Sequence, residues 1–172
     1  TSEQLANFQK GIAGAKRIFA LLATKPKLVD APTPVPWPGL KDGIRFENVW
    51  FSYGGDNEWV LRDVSFDIPA GGRVALAGVT GGGKTTVISL LLRMYDPQKG
   101  RITVDGVDIR QISLAELRRR FALVLQDIFL FPGDIAANIS LEAEEISREQ
   151  VVAAARTVAA DRFVERLPEG YG

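Results

Sequence analysis

Residues 78–85 read Gly-Val-Thr-Gly-Gly-Gly-Lys-Thr, the spacing G-x-x-x-x-G-K-[ST] that suits a polyphosphate. Gly78, Gly81, Gly82 and Gly83, with Thr80 between them, let the backbone fold so that successive N–H groups point at phosphate oxygens. Lys84 would lie across the β- and γ-phosphates, and the Thr85 hydroxyl would ligate Mg²⁺. The motif follows Arg73-Val-Ala-Leu-Ala77 and opens into Thr86-Val-Ile-Ser-Leu-Leu-Leu-Arg-Met94, which predicts strand, loop and helix in that order. A helix beginning there adds the positive end of its dipole. A glycine-rich turn that binds nothing would have no use for a lysine followed by a threonine.

Two other side chains stand where a nucleotide site would use them. Tyr53 closes the run Val49-Trp-Phe-Ser-Tyr53 about 25 residues before the loop, at a predicted strand end bounded by Gly54 and Gly55. An exposed ring there can stack on a purine, a contact of about 1–3 kcal/mol; the alternative is ordinary rim packing. Gln126 closes Phe121-Ala-Leu-Val-Leu-Gln126, a strand of buried type that leads into Asp127-Ile-Phe-Leu-Phe-Pro132. Its amide either caps a turn or contacts Mg²⁺ and a water at the mouth of an α/β sheet.

The elements that must position these groups fall into three parts: 1–24, 25–42 and 43–172. In the first, Leu5, Phe8, Ile12, Ala15, Phe19 and Leu22 form one apolar stripe at helical spacing, open equally to packing on the domain core or to another partner. In the second, Pro26, Pro32, Pro34, Pro36 and Pro38 predict an extended, semi-rigid spacer. The third carries strand-type runs at Ile44-Arg-Phe46, Val60–Ile68, the segment before the loop, and Arg101-Ile-Thr-Val104 ending in an Asp105-Gly106 turn. Capping boxes at Ser113-Leu-Ala-Glu116 and Ser147-Arg-Glu-Gln150 open helices that reach Arg118-Arg119-Arg120 and Ala160. The three arginines read as a solvated helix end that suits the dipole.

Composition narrows the chemistry by exclusion. Twenty-one basic and 21 acidic residues leave no net charge to steer the chain onto nucleic acid. With 46% hydrophobic and 24% charged residues over 172 positions, the chain can bury a sizeable core. Zero cysteines and zero histidines remove thiolate and imidazole chemistry, which leaves carboxylates, amides, hydroxyls and a bound metal. No apolar run approaches the about 20 residues that cross a bilayer. Thr1 opens the chain without methionine or a signal-peptide pattern, as expected of a piece of a longer protein.

In order and spacing, Phe51-Ser-Tyr53, Val60-Leu-Arg-Asp-Val-Ser-Phe66, Gly78–Thr86, Leu91-Leu-Arg-Met-Tyr-Asp-Pro97, Gly100–Gly106, Val124-Leu-Gln-Asp127 and Phe129–Asn138 resemble the first half of the nucleotide-binding domain of ABC transporters. The resemblance is to exporters that fuse membrane and nucleotide-binding domains, and it covers essentially the whole chain. It implies an α/β fold: an incomplete P-loop NTPase core with an antiparallel β subdomain and an N-terminal linker helix. In that fold the strand entering the phosphate loop and the strand ending at Gln126 are not neighbours, so each is expected to be left unpaired.

The resemblance further implies ATP and Mg²⁺ as cofactors, with Tyr53 on adenine, Val60, Gly78, Thr80, Gly81, Gly82, Gly83, Lys84, Thr85, Thr86 and Gln126 around the nucleotide, and Thr85 and Gln126 toward the metal. Lys16-Arg-Ile-Phe-Ala-Leu-Leu22 is similar to the end of the last membrane-domain helix. The implied partners are a second nucleotide-binding domain and a transmembrane domain at the cytoplasmic face of a membrane. The family's signature Leu-Ser-Gly-Gly-Gln, Walker B aspartate, catalytic glutamate and switch histidine are placed past Gly172. Within the chain, Ile102-Thr-Val-Asp105 and Leu123–Asp127 are poor substitutes for Walker B, because Gly106 stands where the glutamate should be in one and Gln126 where the aspartate should be in the other. The expectation is an ATP-binding portion that does not hydrolyse ATP alone. The alternatives are a non-catalytic nucleotide sensor or adaptor, and a small P-loop kinase or GTPase; the latter lacks an Asn-Lys-x-Asp motif and an arginine-rich lid.

Overall fold

The computed structural model describes residues 12, 14–55, 58–127 and 129–172. The described residues of Thr1–Ala122 and those of Leu123–Gly172 form two compact units.

The first unit is built on a four-stranded antiparallel sheet in the order β2-β1-β3-β4: β1 (Gly43–Phe51), β2 (Leu61–Pro69), β3 (Lys99–Val104) and β4 (Val107–Asp108). In β1, Ile44 and Phe46 are buried, then the phase shifts and Val49 and Phe51 are buried. Strict alternation would have sent Trp50 into the core; a bulge at Glu47 and Asn48, with Asn48 at φ 48°, moves the pattern by one residue. The inner face carries Phe46, Val49, Phe51, Ile102 and Val104, and helix α2 (Lys84–Leu91) packs Val87 and Leu90 into the same core. Each such side chain contributes about 1.5–3 kcal/mol. The core is completed by Ile109 in a 3₁₀ turn (Ile109–Gln111), by Ile112, and by Leu117 of α3 (Leu114–Arg119).

The Asp105-Gly106 turn forms as predicted, with both residues at positive φ joining β3 to β4. The Pro-rich segment is extended, but it is fastened to the domain rather than standing free. Buried Trp37 donates its N–H to Glu116 Oε1 at 2.9 Å and its Nε1–H to Asp105 Oδ2 at 3.0 Å. The backbone N–H groups of Lys41, Asp42 and Gly43 also donate to Asp105. Arg93, whose side chain is only 3% exposed, donates to the carbonyls of Val29 and Ile112 and pairs with Asp96. Proline density sets the extended backbone, but these donors and acceptors lie up to 84 residues away in sequence, as Leu114 N–H to Asp30 illustrates.

Partial burial pushes the Asp105 carboxyl up, and the Trp37 indole with the N–H groups of Asp42, Gly43 and Lys41 outweighs it, holding the group at about 2. A lowered folded-state pKa stabilises the fold above the ordinary carboxylate range, and that contribution is lost as pH falls from about 4 through about 2. Asp105→Asn turns an amide N–H toward backbone donors, so its melting midpoint is expected about 3–6 °C below wild type at pH 7. The difference should close near pH 2; a constant difference across that range contradicts the assignment.

Several sequence expectations are corrected. Arg73–Ala77 and Phe121–Gln126 are not strands: Val74, Leu76, Val124 and Leu125 are exposed, and among the described residues neither stretch joins a ladder. A strand of buried type needs neighbours to pair its backbone. The helix after the loop ends at Leu91 rather than Met94, since Arg93 takes φ 47°. At Ser113 only half of the capping box forms: Ser113 accepts from Glu116 N–H, but the Glu116 carboxylate is taken by Trp37. Arg118 is not merely a solvated helix end, because it donates to Leu92 and Arg93 carbonyls and caps α2. Of the N-terminal stripe, Leu5 and Phe8 lie outside the described residues, whereas Ile12, Ala15, Phe19 and Leu22 are exposed and do not pack on a core. We label as α1 the helical residues 14–22, and among the described residues no helix is long and apolar enough to cross a membrane.

The second unit contains α4 (Ile135–Ser140), α5 (Arg148–Thr157) and α6 (Asp161–Val164) around Val151, Ala155, Val164 and Tyr171. The Ser147–Gln150 box is complete. α5 stops at Thr157 rather than Ala160, with Ala159 at φ 57°.

Candidate functional site

The loop of residues 78–83 is exposed up to Gly83, which is buried at the start of α2. Gly83 has φ 81°, and a Cβ there would stand 2.7 Å from Leu61 Cδ2 and 3.4 Å from the Val60 carbonyl. The positive φ is what calls for glycine, since the near Leu61 atom is the tip of a flexible side chain and the Val60 carbonyl is at ordinary contact distance. Val60 lies beside Gly83 at the start of α2. Lys84 Nζ donates to the carbonyls of Gly78 at 2.9 Å and Val79 at 2.8 Å, which ties the ammonium across its own loop. Val79 O also accepts from Gly82 N–H at 3.1 Å.

At the head of α2 no side chain caps the N–H groups, and no acidic residue stands in the first turn. Uncapped donors, the helix dipole and a lysine within the same loop make a concentrated positive field, so the residues fit a polyphosphate. The Thr85 hydroxyl is exposed in that first turn and fits a hard cation beside phosphate oxygens.

Tyr53 is brought to the same helix. Its hydroxyl lies 3.1 Å from Thr86 Oγ1, and Thr86 is only 4% exposed. The Tyr53 ring stands edge-on to Phe51, with centroids 4.8 Å apart, and edge-on to Tyr95 at 5.1 Å, while Tyr53 stays 53% exposed. Sequence reading placed Tyr53 by its position at a strand end and assigned Tyr95 no role. A second exposed aromatic just past the helix that the phosphate loop opens was the available signal.

Gln126 lies in the second unit and is exposed. Its neighbour Ile128 lies outside the described residues. Farther along that segment, Asn138 Nδ2 donates to the Phe131 carbonyl and its Oδ1 accepts the Phe131 N–H, which fixes the backbone of an exposed apolar run, Phe129-Leu-Phe131.

Comparison with known proteins identifies a family. The profile of the family described as ABC transporter matches residues 61–171. The chain is 42% identical over 170 residues to an ATP-dependent lipid A-core flippase of Chromohalobacter salexigens, covering 99% of this chain and 29% of that protein. It is 43% identical over 164 residues to a fatty acid ABC transporter ATP-binding/permease protein of Mycobacterium bovis, covering 95% of this chain and 25% of that protein. Among solved structures, a bacterial Atm1-family ABC exporter with ATP bound superposes with a TM-score of 0.83 at 37% identity, over 95% of this chain and 29% of that one. The chain thus spans less than a third of the length of these relatives. These matches show that the chain belongs to the ABC transporter family, as part of the nucleotide-binding domain.

Proposed function

We propose that the chain is the ATP-binding portion of an ABC exporter whose whole protein couples ATP binding and hydrolysis to export of a substrate across a membrane. The observation that carries this reading is the convergence of Lys84, Thr85 and Thr86 at an uncapped helix start with the Tyr53 ring 3.1 Å from Thr86 through its hydroxyl. Phosphates are held by the loop N–H groups and by Lys84, which exchanges its two carbonyl partners for charge-assisted bonds. Tyr53 stacks on the base, Thr80 and Gly78 to Gly83 shape the loop, and Val60 borders it. Thr85 would hold Mg²⁺, which when bound neutralises phosphate charge, and Gln126 is a further metal-contact candidate on sequence grounds.

Residues 1–24 are the end of a membrane-domain helix, 25–42 a linker and 43–172 the N-terminal part of the nucleotide-binding domain. The exposed Ile12, Phe19 and Leu22 support such a junction. The partners are a second nucleotide-binding domain and a transmembrane domain, at the cytoplasmic face of the membrane. Exposed Phe129, Leu130 and Phe131 favour a protein partner over nucleic acid.

Titration of the chain with Mg-ATP by calorimetry tests the reading. Lys84→Ala removes the one cation of the loop and should weaken binding about tenfold to hundredfold. Equal affinity for wild type and Lys84→Ala would overturn it.

A further inference from the structure

The segment that carries Tyr53 is held from one side by residues that follow α2. Gln98 Nε2 donates to the Ser52 carbonyl at 2.8 Å, and Gln98 Oε1 accepts the Ser52 N–H at 3.1 Å. One amide side chain thus satisfies both backbone groups of the residue before Tyr53, and the Gln98 N–H adds a bond to the Trp50 carbonyl at 3.1 Å. Ser52 is 3% exposed, and its hydroxyl closes the turn onto the Gly55 carbonyl at 2.8 Å. Tyr95 lies three residues before Gln98; its ring is 5.1 Å from Tyr53 at 87° and 5.5 Å from buried Phe51. Each exposed tyrosine therefore has the other as a wall, and the Thr86 hydroxyl pins the far end of the Tyr53 ring.

We propose that Tyr95 and Gln98 are positioning residues for base recognition: they hold Tyr53 in the orientation in which its free face receives a purine. The inference rests on the ATP-binding reading. A tyrosine on a loop between Gly54 and a strand end has many rotamers and backbone states, and a stacking contact is weakened by the population of wrong ones. Gln98 restricts the backbone, Tyr95 restricts the ring, and Thr86 links the ring to the helix that carries the phosphate loop. Among the described residues, neither Gln98 nor Tyr95 makes a hydrogen bond to residues 78–86. Their influence should therefore fall on the base rather than on the polyphosphate.

The experiment compares Mg-ATP with Mg-triphosphate, which lacks the nucleoside, in calorimetric titrations of wild type, Tyr95→Ala, Tyr95→Phe and Gln98→Ala. Tyr95→Ala and Gln98→Ala are expected to weaken ATP about three- to tenfold and to leave triphosphate within about twofold. Tyr95→Phe keeps the ring edge and should restore wild-type ATP affinity, which a general loss of stability would not allow. ATP affinity unchanged in both alanine variants, or an equal fall for ATP and triphosphate, overturns the inference while leaving the phosphate loop's role intact. A wild-type chain that binds neither ligand overturns the ATP-binding reading and this inference with it.

Discussion

Purified and mixed with Mg-ATP, the 172-residue chain is expected to release phosphate no faster than background. Hydrolysis needs a carboxylate to position the attacking water and further donors to hold the charge of the transferring phosphoryl group. The carboxylate just past β3, Asp105, is committed elsewhere: it accepts from the Trp37 indole and from three backbone N–H groups. At about 2 its pKa also makes it a weak base. Gln126 carries an amide, which orients water but takes no proton. Among the described residues no three acidic groups gather as a metal site. Without a positioned base and its partner charges the rate falls by about four orders of magnitude or more. Phosphate release is measured in parallel with Lys84→Ala. Steady release by wild type that Lys84→Ala abolishes would reveal a catalytic group in this chain.

Replacing Gly100 by alanine should cost at least about 3 kcal/mol and lower the melting midpoint by about 6–12 °C. Gly100 takes φ 76° in β3 opposite the bulge of β1. A Cβ there would stand 2.2 Å from the Asn48 carbonyl oxygen and 2.3 Å from that of Glu47, and both are backbone atoms that cannot swing aside. The bulge is what turns Val49 and Phe51 into the core, so relieving the clash disturbs the buried face of the central strand. Gly106 is the control: it has φ 79° but nothing within 4 Å of its would-be Cβ. Gly106→Asn should therefore cost well under half as much, since asparagine tolerates that backbone. Thermal melts of the two variants decide; a Gly100→Ala midpoint within about 2 °C of wild type would show that the β1–β3 approach is not tight.

The legible parts of this protein are those whose chemistry is local in sequence. Gly78 to Thr86 read as a candidate phosphate loop because such a loop draws its anion contacts from consecutive N–H groups and one adjacent lysine. The Asp105-Gly106 turn and the Ser147–Gln150 box are equally local, and both form. Tyr53 was legible as a candidate, since a strand-end aromatic can be recognised by position alone.

What the chain could not declare by itself are the pairings between distant residues. Apolar runs at Val74–Ala77 and Ala122–Leu125 read as strands expected to lack partners; that they then take no strand form at all, and stay exposed among the described residues, is what the structure adds, because a strand exists only by its neighbours. Glu116 looked committed to its own helix cap and instead receives Trp37, 79 residues away. The prolines declared an extended segment, whereas Asp105 and Arg93 decided that it is bound to the domain. The grip of Gln98 on Ser52 and of Tyr95 on Tyr53 likewise exists only once β1 and the end of α2 meet. Residue type and spacing determined which ligand chemistry is possible; tertiary structure decided the orientation in which that chemistry is presented, because hydrogen bonds and ring contacts depend on distance and angle rather than on order along the chain.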